Sequence, residues 1–428
     1  MLVVLGLGIV LVTVISGETR GSLAAPGGWF IAVGRLSGFI GAYAMLVMLL
    51  LVARLPGLER ALGQDHLLCW HRRIGPWPVA AISVHVATVT LGYAALGKAG
   101  FVHQLLTFVA SYPDVLAASV GFCLLVMATI TSVKIVRRHL TYETWWIVHL
   151  YMYLALALAL AFAHQIVAGG AFLGHEFTRL AWAVVWSSTA GVVLIFRVAL
   201  PVLRSLRHQL KIVDVREEAP GVFAVICSGR RIDRLAVSGG QFLRWRFLTR
   251  ELWWHAHPYS LSALPKPPFL RLTVKSSGDQ SASVAKLRPG TRVMIEGPYG
   301  TFTHHARTQD RVALIGAGVG VTPLRALLED LPLSVDVDFV VRASTSESIV
   351  HREEVIALLD RRGGRYREVI GPREQVRFDA RALRRMIPDI AERDVYVCGP
   401  DEFSRRVVSS AVRLGIRGER IHREAFSF

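Results

Sequence analysis

The chain has 428 residues, 52% of them hydrophobic, and a formal net charge of +17. The apolar excess lies before residue 200, which excludes an ordinary soluble protein and implies a membrane part followed by soluble domains. The charge requires no nucleic acid, because many of the basic residues sit in short loops between apolar stretches, as they do on the cytoplasmic side of a membrane.

In chain order, apolar stretches at 2–16, 28–53, 74–97, 114–135, 144–168 and 177–199 predict six transmembrane spans. The last five are long enough to cross about 30 Å of hydrocarbon. The first is short and reads as either a span or a signal peptide; its lack of a leading positive charge favours the span. Arg54, Arg60, Arg72, Arg73, Lys134, Arg137, Arg138, Arg197, Arg204, Arg207 and Lys211 fall on one side, against Arg20, Lys98 and Arg179 on the other. The basic side is cytoplasmic, so the C-terminal half is expected there too.

Imidazole is costly in lipid, so histidines inside a span need partners. His71 and His85 are 14 residues apart. At about 100° and 1.5 Å per residue they share one helix face, roughly 21 Å apart. His149 and His164 are 15 apart, a looser match to one face. Antiparallel packing would bring His71 to His149 and His85 to His164, as axial ligands of two stacked haems, with both irons then fully ligated. The competing reading is four satisfied core histidines. Arg35 also lies within a span, amid Gly34, Gly38 and Gly41. Such an arginine could pair with a haem propionate or face an outer electron acceptor. The glycines could admit a flat macrocycle or pack helix on helix. Tyr142, Trp145 and Trp146 read as an interfacial belt. The four cysteines, Cys69, Cys123, Cys227 and Cys398, form neither CxxC nor CxxCH, which argues against a zinc ribbon, an iron–sulfur cluster and a c-type haem.

From 209 to 300, β-rich runs at Lys211–Val215, Val222–Cys227, Gln241–Phe247, Leu270–Lys275 and Arg292–Ile295 predict an antiparallel β-barrel. This region holds His257-Pro258-Tyr259-Ser260-Leu261-Ser262, then Arg271-Leu272-Thr273-Val274-Lys275 and Glu296-Gly297-Pro298-Tyr299-Gly300. From 311 the pattern becomes strands alternating with helices, an α/β parallel sheet. The run Val312–Ile315 leads into Gly316-Ala317-Gly318-Val319-Gly320-Val321-Thr322-Pro323, which opens a helix. A glycine-rich turn at a helix N-terminus suits a phosphate. Strands follow at Val335–Arg342 and Asp394–Val397, with a helix at Glu353–Arg361 between them; the second strand runs into Cys398-Gly399-Pro400.

These motifs in this order resemble the NADPH oxidase and transmembrane ferric reductase superfamily, with a cytoplasmic half similar to ferredoxin–NADP reductase modules. The resemblance implies a six-helix transmembrane di-haem domain (1–204), an FAD-binding β-barrel (205–304) and an NADPH-binding α/β domain (305–428), in a bacterial plasma membrane. By the same resemblance, His257, Pro258, Tyr259, Ser260, Leu261, Ser262 and Arg271 form the flavin motif, although the family often has arginine at the place of His257. Lys275, Gly278 and Ser281 would hold the FAD pyrophosphate. Gly316, Gly318, Gly320, Thr322 and Pro323 match the nicotinamide nucleotide loop. Cys398, Gly399 and Pro400 match the segment beside nicotinamide, with Cys398 near the hydride-transferring carbon. Phe426 or Phe428 would cover the flavin. Arg342, Ser344 and Arg352 lie where a 2′-phosphate is read, with no acidic residue to grip a free ribose, so NADPH is expected ahead of NADH.

The expected route runs from cytoplasmic NADPH through FAD and two b-type haems, His71 and His149 inside, His85 and His164 outside. The acceptor is open between O2, an Fe(III) chelate and a partner electron-transfer protein, with O2 preferred. A haem-binding structural membrane protein is the non-enzyme alternative; it leaves the flavin module unexplained. Oligomeric state is not legible.

Overall fold

The computed structural model describes residues 2–16, 18–112, 114–157, 176–277, 279–372 and 375–425. The chain divides into two compact units, Met1–Arg197 and Val198–Phe428.

The first unit is helical: α1 Leu2–Ser16, α2 Gly28–Val52, α3 Gln64–Ile74, α4 Pro76–Gly97, α5 Phe101–Ser111, α6 Val115–Ser132, α7 Tyr142–Leu156 and α8 Glu176–Leu194. Among the described residues, four helical segments are long and apolar enough to cross a membrane: Gly28–Val52, His66–Gly97, Val115–Ser132 and Leu180–His208. At about 1.5 Å per residue, α1 reaches only about 22 Å. The second of these, His66–Gly97, starts well before the expected residue 74. Arg72 and Arg73 end the lipid-compatible stretch but not the helix, since arginine is a good helix former. The last segment also outruns its expected end at 199, passing through a π turn at Ile195–Ala199 into α9, Leu200–His208.

Small residues set the packing of α2 on α4. A Cβ at Gly34 would lie 2.5 Å from Val89, at Gly38 2.6 Å from the His85 ring, and at Gly41 2.9 Å from Ile82. Each step of three or four residues along α2 matches an equal step backwards along α4. The two helices are therefore antiparallel with near backbone contact over two turns. This decides between the two readings of these glycines: they face a helix rather than a cofactor.

The second unit holds two sheets. The first is antiparallel, in the order β4-β3-β6-β1-β2-β5, from β1 Leu210–Ala219, β2 Val222–Ser228, β3 Phe242–Phe247, β4 His257–Ser260, β5 Phe269–Lys275 and β6 Arg292–Tyr299. Leu261, just past β4, bridges Leu272 on β5, so the two edges of the sheet meet. Alternation along β3 buries Leu243, Trp245 and Phe247 in the core of this sheet. The second sheet is parallel, ordered β11-β10-β7-β8-β9, from β7 Arg311–Ala317, β8 Asp336–Ala343, β9 Arg365–Ile370, β10 Asp394–Gly399 and β11 Ile421–Ala425. Helices α10 Val321–Asp330, α11 Arg352–Asp360 and α12 Asp401–Arg413 follow strands in it. Strands β4, covering His257–Ser260, and β11, covering Ile421–Ala425, fall outside the runs expected as strands.

Candidate functional site

In the membrane unit, His71 on α3 and His149 on α7 come together from segments 78 residues apart in sequence. Their ring centroids lie 6.2 Å apart with planes at 73°. Two imidazoles on opposite sides of one metal need roughly 6 Å between centroids, from two bonds of about 2 Å plus about 1.2 Å within each ring. The pair has the centroid separation that a shared metal ion would need. His149 is held from behind: Trp145 stacks on it at 5.1 Å, and its Nδ1 lies 3.3 Å from Ser132 Oγ, which also accepts from Trp145 Nε1 at 3.1 Å. Arg137 caps the outer face of Trp145, 4.7 Å from its centroid. Trp145 is thus more than a belt residue. Its spacing of four from His149, one helix turn, was the available signal.

His85 on α4 sits against α2, its Nδ1 2.8 Å from the Gly34 carbonyl. That contact assigns the proton to Nδ1 and fixes the ring against α2. His164 lies outside the described residues, as do Gly278, Phe426 and Phe428. Arg35 Nη1 donates to Glu18 Oε1 at 3.0 Å, and Ser22 Oγ donates to Glu18 Oε2 at 3.0 Å. Glu18 is thus a charge partner for Arg35 within the chain.

In the antiparallel sheet, His257 and Tyr259 stand at alternate positions of β4, with rings nearly parallel at 5.8 Å; His255 continues the stack at 5.4 Å from His257. His257 Nε2 and Ser260 Oγ are buried with no protein partner. Orphaned buried polar atoms are rare, and here they fit the polar edge of a flavin. Burial, with His255, Arg244 and Arg246 nearby, lowers the His257 pKa to about 4, so the ring is neutral. Burial also pushes the Tyr259 phenol up. Lys275 is exposed at the end of β5; in the loop beyond it the Ser277 N–H donates at 2.9 Å to Oγ of Ser281, which lies on the short helix Asp279–Ala285.

Two assigned cofactor contacts prove to be occupied. Arg271 donates through Nε to Ser262 Oγ (3.0 Å), through Nη2 to the Ser262 carbonyl (3.1 Å), and through both Nη atoms to Glu354 on α11 (2.6 and 2.7 Å). Arg325 Nε also reaches Glu354, at 2.8 Å, and its Nη1 pairs with Glu329. Burial alone would raise the Glu354 pKa, but Arg271, His351 and Arg325 outweigh it and hold the carboxyl far down. His351, fully buried, completes the brace through Thr273 Oγ1 at 3.0 Å. Arg271 and Ser262 therefore tie β5 to α11 rather than facing open solvent. Arg352 is likewise engaged, in a two-bond pair with Glu368 at 2.6 and 2.7 Å.

The glycine-rich loop lies between β7 and α10. Gly318 has φ +56°, and a Cβ there would meet open space; at Gly320 a Cβ would strike the Cys398 carbonyl. The loop thus presses bare backbone against the end of β10, as a phosphate-binding turn requires. Thr322 Oγ1 at the start of α10 is buried and without a partner. Arg342 ends β8 with Nη2 on the Gly371 carbonyl (3.0 Å) and Nη1 3.3 Å from Ser344 Oγ. Cys398 has no exposed surface and packs in the cluster of Val312, Leu314 and Tyr396; burial raises its thiol pKa well above the ordinary value. It is a packed, neutral thiol, and contact with a reacting carbon would require its uncovering. Gly399 and Pro400 lead from it into α12.

Residues 37–160 match the family of ferric reductase like transmembrane components, and residues 222–303 match an FAD-binding domain. That pair of matches, in this order, is similar to the fusion found in the NADPH oxidase and transmembrane ferric reductase superfamily. Apolar helices long enough to cross a membrane thus precede a segment similar to an FAD-binding domain. Curated relatives include the stachydrine N-demethylase reductase subunit of Rhizobium meliloti, 29% identical over 40% of this chain and 52% of that protein. An NADPH oxidoreductase of Mycobacterium tuberculosis is 28% identical over 41% of this chain and 48% of its own length. The chain spans about half the length of the curated relatives it matches. Among solved structures, the flavohem-like FAD/NAD binding domain of nitric oxide dioxygenase from Vibrio cholerae is 23% identical with a TM-score of 0.44, over 51% of this chain and 98% of that one.

Proposed function

We propose that this protein carries electrons from cytoplasmic NADPH, by way of FAD and two b-type haems, to an acceptor on the other side of the membrane. The observation that supports it most is the His71–His149 pair, two imidazoles at the separation a shared iron needs, in a chain that also has a flavin module. The proposal includes six spans, adding α1 and the helix that begins at Tyr142, and soluble domains on the basic, cytoplasmic side. It also reads the sheet whose edges meet at Leu261 and Leu272 as the FAD barrel (205–304), ahead of the nucleotide domain (305–428).

FAD, when bound, supplies the conversion of a two-electron donor into single-electron transfers. The residues of this chain place and tune. Tyr259 offers a ring to stack on, and the neutral His257 and Ser260 offer hydrogen bonds without a charge. Lys275 and Ser281, with Gly278, would meet the pyrophosphate. The bare loop at Gly316, Gly318 and Gly320, with Thr322 and Pro323, would take the nucleotide pyrophosphate. Arg342 and Ser344 favour a 2′-phosphate. His71 and His149 would hold the inner haem; His85, oriented by Gly34, would hold the outer one with His164. We assign O2 as the acceptor, giving superoxide. It is small and neutral and demands no ligand set from the outer residues. A ferric chelate is the second reading.

The test is composition of the purified protein. Two haems and one flavin per chain are expected, with one haem lost in His71→Ala and in His149→Ala and none in His103→Ala. Absence of flavin, or unchanged haem in both variants, would overturn the proposal.

A further inference from the structure

We propose that α9 and the loop between β3 and β4 form a foot on the soluble unit that rests on an anionic lipid surface. Helix α9 uses one face for its own sheet. Pro201 and His208 are buried, the Arg204 guanidinium donates to the Gly297 carbonyl, and Ser205 Oγ accepts from the Ile295 N–H at 3.2 Å. Those positions recur at intervals of three and four, one helical stripe. The opposite stripe carries Leu203 and Leu206, 59% and 63% exposed, beside exposed Val202 and Arg207. Leucines this open on a soluble domain need an explanation.

Chain continuity supplies one. The apolar helical segment that ends with α9 runs from Leu180 to His208, 29 residues. That is roughly 43 Å of helix, where hydrocarbon takes about 30 Å. The surplus of about nine residues corresponds to α9, which would then emerge at headgroup depth.

The β3–β4 loop lies on the same edge of the sheet. Leu248 N–H donates to the Arg292 carbonyl at 2.9 Å, and Arg292 is the partner of Lys211, two residues past the end of α9's cap at Gln209. This loop exposes Leu248 and Trp253, the latter at 58%. Trp253 is fixed by its own backbone: its N–H donates to the Thr249 carbonyl at 3.1 Å and its carbonyl accepts from Arg246 at 3.4 Å. Arg207, Lys211, Arg250 and Arg292 are exposed around these apolar side chains; Asp214, Glu217 and Glu251 are the exposed acids of the same segments. A tryptophan and leucines ringed by basic residues match the interfacial zone of a leaflet with anionic headgroups.

The experiment uses the full chain in nanodiscs of phosphatidylcholine with phosphatidylglycerol. The two exposed thiols, Cys69 and Cys123, are replaced by serine. A nitroxide is attached at Trp253→Cys, at Leu206→Cys, or at Leu333→Cys, an exposed position on the parallel-sheet side. Collision with O2, which partitions into lipid, is compared with collision with a water-soluble nickel chelate. The expected O2-to-nickel ratio is several-fold higher at 253 and 206 than at 333, and it falls at 253 when phosphatidylglycerol is omitted. A water-like ratio at both test positions overturns the proposal. So does shielding from both collision partners, which would mean that protein covers the face. A ratio unchanged without phosphatidylglycerol overturns the requirement for anionic lipid.

Discussion

Replacing Gly38 by alanine puts a methyl group 2.6 Å from Nδ1 of His85 and 3.1 Å from its Cγ and Cε1. Ordinary contact begins near 3.4 Å, so the ring must retreat by about 0.8 Å. Its Nδ1 now sits 2.8 Å from the Gly34 carbonyl; a retreat of that size stretches the contact to as much as about 3.6 Å, past a hydrogen bond. Losing such an outer partner of a metal-binding histidine typically costs about 10- to 100-fold in metal affinity. With the haems placed as proposed, Gly38→Ala should therefore release the one assigned to His85 while sparing the one assigned to His71 and His149. The assay is pyridine haemochromogen content per protein, with NADPH-driven reduction of the remaining haem followed by its Soret band. Content should fall towards half, and electron delivery to an outside acceptor should be lost. Gly191→Ala, where an added Cβ meets nothing within 4 Å, is the control and should change neither. Full haem content with an unchanged transfer rate in Gly38→Ala would refute the reasoning.

Arg271→Met removes four hydrogen bonds and leaves Glu354 with Arg325 and His351 alone, which should lower stability by about 2–4 kcal/mol, read as a lowered midpoint of thermal unfolding; an unchanged midpoint would show the brace to be idle. His257 has a folded pKa of about 4, below the ordinary 6.5, so the unfolded chain takes up the proton first. Its contribution is complete above pH 6.5 and is lost as pH falls towards 4, at most roughly 3 kcal/mol, and His257→Gln should flatten that part of the stability–pH curve. Arg342→Ala should raise the KM for NADPH strongly and leave the KM for NADH almost unchanged; equal effects would remove Arg342 from 2′-phosphate recognition.

Periodicity and charge made the order of elements legible: apolar stretches, then alternating short strands, then strands with helices between them. Helix ends in the membrane unit were less legible, because hydropathy reports where lipid ends, not where hydrogen bonding ends; α3 continues beneath Arg72 and Arg73 for that reason. Spacing alone brought His71 and His149 together in the mind's eye only as helix faces, and the packing of α3 near α7 supplied the 6.2 Å. Contacts between distant segments left no local trace. Arg271 lay in a motif beside the flavin residues, and nothing near it in sequence revealed Glu354, 83 residues on, as its partner. Glu18 was equally hidden from Arg35, and Cys398 occupied a motif position while its side chain turned into the core.

The decisive measurement is NADPH oxidation by the protein reconstituted in sealed proteoliposomes, with NADPH supplied only on the side of the soluble domains and, because O2 crosses lipid, a membrane-impermeant superoxide detector confined to the other. Oxidation should proceed with O2 across the membrane, and the product should be superoxide, removed by superoxide dismutase on the acceptor side. Superoxide detected only on the side of NADPH, or oxidation that persists undiminished in His149→Ala, would contradict electron transfer across the membrane.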